Sequence, residues 1–539
     1  MFFDLLIRNG LIVDGTGKTA YRADLAVNSK KIADIGDLAQ ARARVVIPAE
    51  GLVVAPGFID AHSHSDRRLL VYPQAESNLV QGITTVMAGQ CGCSAAPIDP
   101  GKRQQLEERY RLSLPPEAEY RITWTGFGEY LDHAEGVKLG VNLACLAGHG
   151  AIRAVVMGDE DRAPGPLDLK KMKQHTAESM EAGAFGLSSG LIYPPGMFSS
   201  TEELIALAQV AARYERIYTS HIRGEGDTVL EAVDEAISIG RRAKLPVHIS
   251  HHKVSGRKNW GRSRETLALM QGACEQGIDI TLDQYPYLAG ATPLSTLLPP
   301  WAHEGGTERL LKRLRDDSAK KRLRRDMKRG LPGWENFARD LGWENIVVSF
   351  VRSDGNKQAE GHSIPDIKSM RNEPDEFTTL FNLLVEEEDT PGMIIFSMCE
   401  DDVRRIMRHP LQMVGTDASS IASSGPFACG KPHPRHFGTC PKVLGRYVRE
   451  YGVLTLEEAV KKMTSLPADC YGIRDRGVIR TGMCADLTVF NPETVIDKAT
   501  YRDPHRLPDG IEYVFVNGIA AVKQGVCTGN LAGKVLRKS

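Results

Sequence analysis

Short β-branched runs alternate with longer amphipathic stretches through most of this chain, and that rhythm restricts its fold more than any other feature. Strands joined by helical crossovers run parallel, because the helix returns the chain to the same end of the sheet. Eight such strands are expected, at about 54–62, 83–90, 141–147, 184–188, 216–221, 246–251, 278–283 and 412–416. Eight is the number that closes a parallel sheet into a (β/α)8 barrel, so the expected class is α/β with a TIM-like barrel. In such a barrel the C-terminal strand ends share one face, and polar residues at those ends are brought together.

At 539 residues the chain exceeds what one hydrophobic core usually serves. Residues 1–54 and 475–539 share a texture of short apolar runs and turn signals, and the two ends are expected to pair into a small β-sandwich. The barrel then takes 55–289 and 391–474. Residues 290–390, with the basic helical run Arg309–Arg329 and a strand over Asn345–Val351, read as an insertion over its mouth.

Hydrophobic residues at 42% and charged residues at 25% exclude a disordered chain. Lys+Arg at 67 against Asp+Glu at 68 leaves a net charge of -1, which gives no reason to expect a nucleic acid partner. Asp4, Arg8 and Asn9 interrupt the apolar N-terminus before it could form a signal core or membrane span, so a cytoplasmic location is expected. Ten cysteines without regular spacing do not make a disulfide framework, and most read as reduced core residues. The sequence sets no oligomeric state.

Strand one ends in His62-Ser63-His64, where i and i+2 imidazoles project from one strand face and can chelate one ion. Alone, such a pair is more often two polar loop residues. His221 closes strand five, His251 closes strand six and Asp417 follows strand eight, so every further candidate also sits at the shared rim. By strand parity His251 and Lys253 share a face opposite His248, Ser250 and His252, which makes His252 a packed histidine or one touching a ligand. Strand two adds a thiol at the rim, Cys91. A thiolate is a strong zinc ligand, although a cysteine is also an ordinary small core residue.

An HxH on strand one, histidines on five and six and an aspartate on eight resemble the amidohydrolase superfamily over nearly the whole chain. Many members carry a carboxylated lysine on strand four, but Gly183–Gly190 has none, so any bridge comes from elsewhere. The N-acyl-D-amino-acid deacylase (D-aminoacylase) branch is more similar still. Its strand-two cysteine motif is matched by Gln90-Cys91-Gly92-Cys93-Ser94, its SHHK by Ser250–Lys253, its GLIYPPG by Gly190–Gly196 and its HPR loop by His433–Arg435.

That resemblance implies a zinc-dependent hydrolase acting on a small-molecule N-acyl-D-amino acid. It implies one tight ion on Cys91, His221 and His251, with a weaker or optional second on His62, His64 and Asp417. A zinc held this way lowers the pKa of its water to about 7. Asp417 would then be general base and acid. Tyr193 could donate to the carbonyl oxygen, against a packing role. Lys253, Tyr285 and Arg435 are the candidates for the substrate carboxylate. The stretch Leu288–Trp301 lacks Lys and Arg, so Leu294, Leu297, Leu298 and Trp301 suggest a pocket for a neutral, bulky side chain, against simple packing of the insertion. A cyclic-amide hydrolase of hydantoin-like rings is the alternative, and the missing lysine counts against it. A non-catalytic scaffold would have broken ligand positions, which this chain does not.

Overall fold

Gly57 divides the first expected strand in two. In the computed structural model, which describes residues 1–539, Val53–Pro56 and Phe58–Asp60 are separate strands that belong to different sheets. A Cβ at position 57 would lie 2.3 Å from Thr84 Oγ1, so only glycine passes this point. Before it, Val53–Pro56 pairs with Leu487–Phe490 and with Leu11 and Ile12. Beyond it, Phe58–Asp60 opens a parallel series and is β1 here.

The series continues with β2 (Ile83–Ala88), β3 (Asn142–Cys145, resuming at Ala147–Gly148), β4 (Gly186–Gly190), β5 (Ile217–His221), β6 (Val247–Ile249), β7 (Ile280–Gln284) and β8 (Gln412–Val414). Each pairs in parallel with the next. From the β8 side, Val414 O accepts from Ala61 N at 3.3 Å, while Asp417 N donates to His62 O at 2.8 Å and His64 N to Ala418 O at 2.9 Å. Helices fill the crossovers, and strands covered in this way are buried nearly throughout, as Leu187, Tyr218, Val247, Ile249 and Leu282 are. Helix Thr201–Ala212 shows the local logic. Ser200 caps it by accepting from Glu203 N at 3.3 Å, and Leu204, Leu207, Ala208 and Ala211 form the buried stripe. Each leucine in that stripe contributes about 2–3 kcal/mol of burial.

Both chain ends meet in one nine-stranded sheet, running from Val526–Cys527 through Leu487–Phe490 and Val53–Pro56 to Phe2–Ile12 and Lys31–Gly36. Between β7 and β8 lies a three-stranded antiparallel sheet of Ala289–Pro293, Gly392–Phe396 and the expected strand, observed at Ile346–Phe350. The basic run is two helices, Gly306–Arg315 and Asp317–Arg329, because Asp316 leaves helical geometry and accepts from Ala319 N at 2.7 Å as a cap. This region has its own core, including Leu294, Leu297, Leu298, Leu323, Ile346 and Phe381. No helix is long and apolar enough to cross a membrane.

Candidate metal centre

The six residues proposed from the strand ends converge. Donor atoms of Cys91, His221 and His251 lie within 4.8 Å of one another, and the same holds for His62, His64 and Cys91 and for His62, His251 and Asp417. Cys91 Sγ stands between two rings, 3.3 Å from His251 Nε2 and 3.4 Å from His62 Nε2. Asp417 Oδ1 lies 3.1 Å from His64 Nε2 and 3.6 Å from His62 Nε2. Cys93 is exposed and belongs to none of these groups, and all ten cysteines are free.

Three of the six hold left-handed backbone: Cys91 at φ 53°, His251 at φ 35° and Asp417 at φ 53°. For residues with a Cβ this conformation costs on the order of 1–3 kcal/mol each and survives only where the surroundings impose it. It also corrects the parity argument. β6 ends at Ile249, so alternation does not reach His251; a turn aims that ring at Cys91, while His248 is buried with Nε2 2.7 Å from Asp283 Oδ2. His252 packs away, its Nε2 2.8 Å from Thr266 Oγ1 beneath helix Ser263–Glu275.

Strand four contributes space. A Cβ on Gly190 would fall 2.1 Å from Cys91 O, so the backbone carrying the thiol lies where a strand-four side chain would otherwise project.

Burial pushes His62 down to about 4 and His221 well below the usual histidine range, which leaves both rings neutral, the form that binds a cation. Burial pushes the Cys91 thiol up. Asp417 is desolvated too, but Arg435 and the neighbouring histidines outweigh burial and hold it well below the usual carboxylate range. Neither ring nitrogen of buried His221 has a hydrogen-bond partner. An orphaned buried polar atom costs about 1–3 kcal/mol. A cation shared with Cys91 and His251 would satisfy one of them, and a donor set of thiolate, imidazole and carboxylate suits zinc. The residues present therefore fit that ion.

The substrate candidates divide. Arg435 Nη1 lies 2.8 Å from Asp417 Oδ2. Arg435 Cζ is 5.1 Å and Lys253 Nζ 5.7 Å from the centroid of the Tyr285 ring, so both cations lie against that ring. Neither Nε nor Nη1 of Arg435 makes a hydrogen bond, so its contact with Asp417 is an ion pair. The Tyr193 ring meets His221 edge-on at 5.0 Å, with its hydroxyl 2.9 Å from Thr292 Oγ1. Leu298 is not gathered there. With Leu294 and Leu297 it lies inside the insertion's core, because these apolar side chains are buried against Leu323, Ile346 and Phe381. Trp301 also serves the insertion, under Arg322 at 3.9 Å and bonded to Asp326 Oδ2.

Three buried carboxylates at the site were given no role from the sequence. Glu225 Oε1 lies 2.6 Å from Lys253 Nζ and 3.2 Å from His251 Nδ1. Asp283 Oδ2 lies 3.1 Å from His62 Nδ1. Asp60 accepts from His62 N and Thr416 N. Asp283 is the penultimate residue of β7 and within reach of the strand-end rule that selects the other six. Glu225 lies four residues beyond His221, in a loop the rule does not reach.

The profile of the amidohydrolase family matches residues 45–520, and the chain belongs to that family. A D-aminoacylase of Alcaligenes xylosoxydans xylosoxydans is 37% identical over 100% of this chain and 98% of its own length. An N-acyl-D-glutamate deacylase of the same organism is 36% identical over 99% and 96%. Among solved structures, an N-acyl-D-glutamate deacylase of Bordetella bronchiseptica, complexed with zinc and a phosphonate mimic of the tetrahedral intermediate, matches with a TM-score of 0.83 at 36% identity, covering 100% of both chains. The mixed α/β amidohydrolase fold follows from these likenesses.

Proposed function

We propose that this protein is a zinc-dependent hydrolase that cleaves the amide bond of N-acyl-D-amino acids, releasing a D-amino acid and a carboxylate. The observation that carries the reading is the position of Cys91 Sγ, within 3.4 Å of both His62 and His251, at the strand-two site where the deacylase branch has its cysteine. Full-length relatives at 36–37% identity, named for deacylation of D-amino acid derivatives, support the linear amide and the D configuration.

The fold assigned to this reading is a closed eight-stranded barrel over 55–289 and 391–474, a β-sandwich of 1–54 with 475–539, and an insertion over 290–390 whose sheet, against the expected boundary, extends to Gly392–Phe396. The β1–β8 hydrogen bonds support closure, the shared sheet of the chain ends supports the second unit, and the separate core supports the third.

Cys91, His221 and His251 would hold the tight ion, and His62, His64 and Asp417 a weaker one. Bound there, zinc supplies a lowered pKa for the attacking water and a Lewis acid for the carbonyl. Asp417 accepts the proton the water loses and delivers it to the leaving nitrogen, so the proton ends on the amine as the C–N bond breaks. Tyr193 donates its phenol hydrogen to the carbonyl oxygen as that atom gains charge. Arg435, Lys253 and Tyr285 bind the substrate carboxylate and so set the scissile bond against Asp417.

Neutral side chains are the preferred class. Ala291 and Thr292 touch Arg435 and Tyr193, so the segment after β7 borders the site, and that segment, Leu288–Pro293, carries no cation to receive an acidic side chain. The test compares hydrolysis of N-acetyl-D-leucine and N-acetyl-D-methionine with the D-glutamate and D-aspartate derivatives. The reading expects kcat/KM at least about 100-fold higher for the neutral pair, the cost of burying an unpaired charge. Equal rates would remove the preference.

A further inference from the structure

We infer that Glu225 is a positioning residue that fixes His251 for the thiolate-containing ion site alone. The inference rests on the metal site proposed above.

An imidazole that binds a cation through one nitrogen carries a hydrogen on the other, and that hydrogen needs an acceptor. In His251, Nε2 faces Cys91 Sγ at 3.3 Å and Nδ1 faces Glu225 Oε1 at 3.2 Å. Lys253 Nζ is 2.9 Å from the same Nδ1, but an ammonium has no lone pair to receive a hydrogen. Glu225 is thus the acceptor in reach. Its oxygen is held in turn by Lys253 Nζ at 2.6 Å and lies 3.8 Å from His221 Nε2, so one carboxylate addresses two of the three residues of that site.

The opposite ring repeats the arrangement with a different carboxylate. His62 Nε2 faces Cys91 Sγ at 3.4 Å while its Nδ1 faces Asp283 Oδ2 at 3.1 Å. Asp283 also meets His248 Nε2 and accepts from His251 N, which ties it into the strand framework. Glu225 comes instead from the loop after β5, and none of its contacts reaches His62, His64 or Asp417. The two ion sites accordingly have separate supporting carboxylates, and removing Glu225 should weaken one site and spare the other.

The experiment is zinc titration of the full-length, metal-stripped protein by chelator competition, for wild type, Glu225→Gln and Glu225→Asp. Cobalt substitution runs in parallel, since thiolate-to-cobalt absorption marks the Cys91 site. Glu225→Gln should lose about 10- to 100-fold in affinity at that site. The weaker site and the thermal midpoint of the metal-free protein should stay unchanged, and Glu225→Asp should recover part of the loss. Unchanged zinc affinity in Glu225→Gln overturns the inference. So does a loss at both sites with a lowered metal-free midpoint, because the residue would then be merely structural. A wild type that binds no zinc overturns this inference together with the proposed function, which separates the two failures.

Discussion

Arg435 Nη1 lies 2.8 Å from Asp417 Oδ2, with both side chains almost wholly buried, so the cation proposed to hold the substrate touches the carboxylate proposed to move the proton. Substrate and proton carrier are registered against each other through this one contact. Breaking a buried pair by removing one partner costs about 3–5 kcal/mol, because the remaining charge is stranded. Arg435→Met is therefore expected to lower kcat/KM by at least about 100-fold. Arg435→Lys should fall between, since an ammonium cannot fork between Asp417 and the substrate carboxylate. Steady-state kinetics on an N-acetyl-D-amino acid checks both, and an Arg435→Met enzyme with wild-type KM would contradict the role.

Gly190→Ala tests the packing that places Cys91. The added methyl would sit 2.1 Å from Cys91 O, a backbone atom that cannot swing aside as a side chain would. Expected are weaker zinc retention on dialysis and a loss of about 1–3 kcal/mol in denaturant unfolding, the usual cost of overpacking. Wild-type zinc retention in this variant would show that the β4–Cys91 approach is not needed.

Tyr193→Phe removes a hydroxyl while keeping the ring against His221. If the phenol serves the developing oxyanion, kcat should fall by about 100-fold with little change in KM. A packing role predicts near-normal kcat, and stopped-time product assays at saturating substrate distinguish the two.

His248 gives a pH dependence. Burial alone would lower its pKa, but the Asp283 carboxylate 2.7 Å away, with Cys470, outweighs burial and raises it to about 9. The folded state then holds a proton that the unfolded chain, with a pKa near 6.5, releases earlier. That stabilisation is complete below about pH 6.5 and is lost as pH rises through about 9, on the order of 3 kcal/mol in all. Urea unfolding of the metal-free protein across this range should show the decline, and His248→Gln should flatten it. A wild-type profile that rises with pH would contradict the assignment.

The rim is legible because strand ends in a parallel α/β fold share a face, and all six residues lie at or just beyond such ends. Cys91 required the family likeness, since nothing in its own spacing distinguishes a ligand from a core thiol. Strand parity selects His251 over His252, but a left-handed turn, which local sequence does not announce, rather than alternation aims that ring at Cys91. Leu298 was misplaced because an apolar run beside a pocket and an apolar run inside a neighbouring core have the same composition, and only the packing separates them. Pattern alone runs a strand straight through Gly57, because the break there is set by Thr84 in another strand, a non-local contact. Glu225 escapes for the same reason, since it meets His251 and Lys253 from a loop distant from both in sequence.

The most direct measurement is zinc content together with hydrolysis of paired N-acetyl-D- and N-acetyl-L-leucine by wild type and Cys91→Ala. The account predicts bound zinc and D-selective cleavage in the wild type, with both the tight ion and the activity lost when the thiol is removed. Undiminished zinc binding and activity in Cys91→Ala would contradict it.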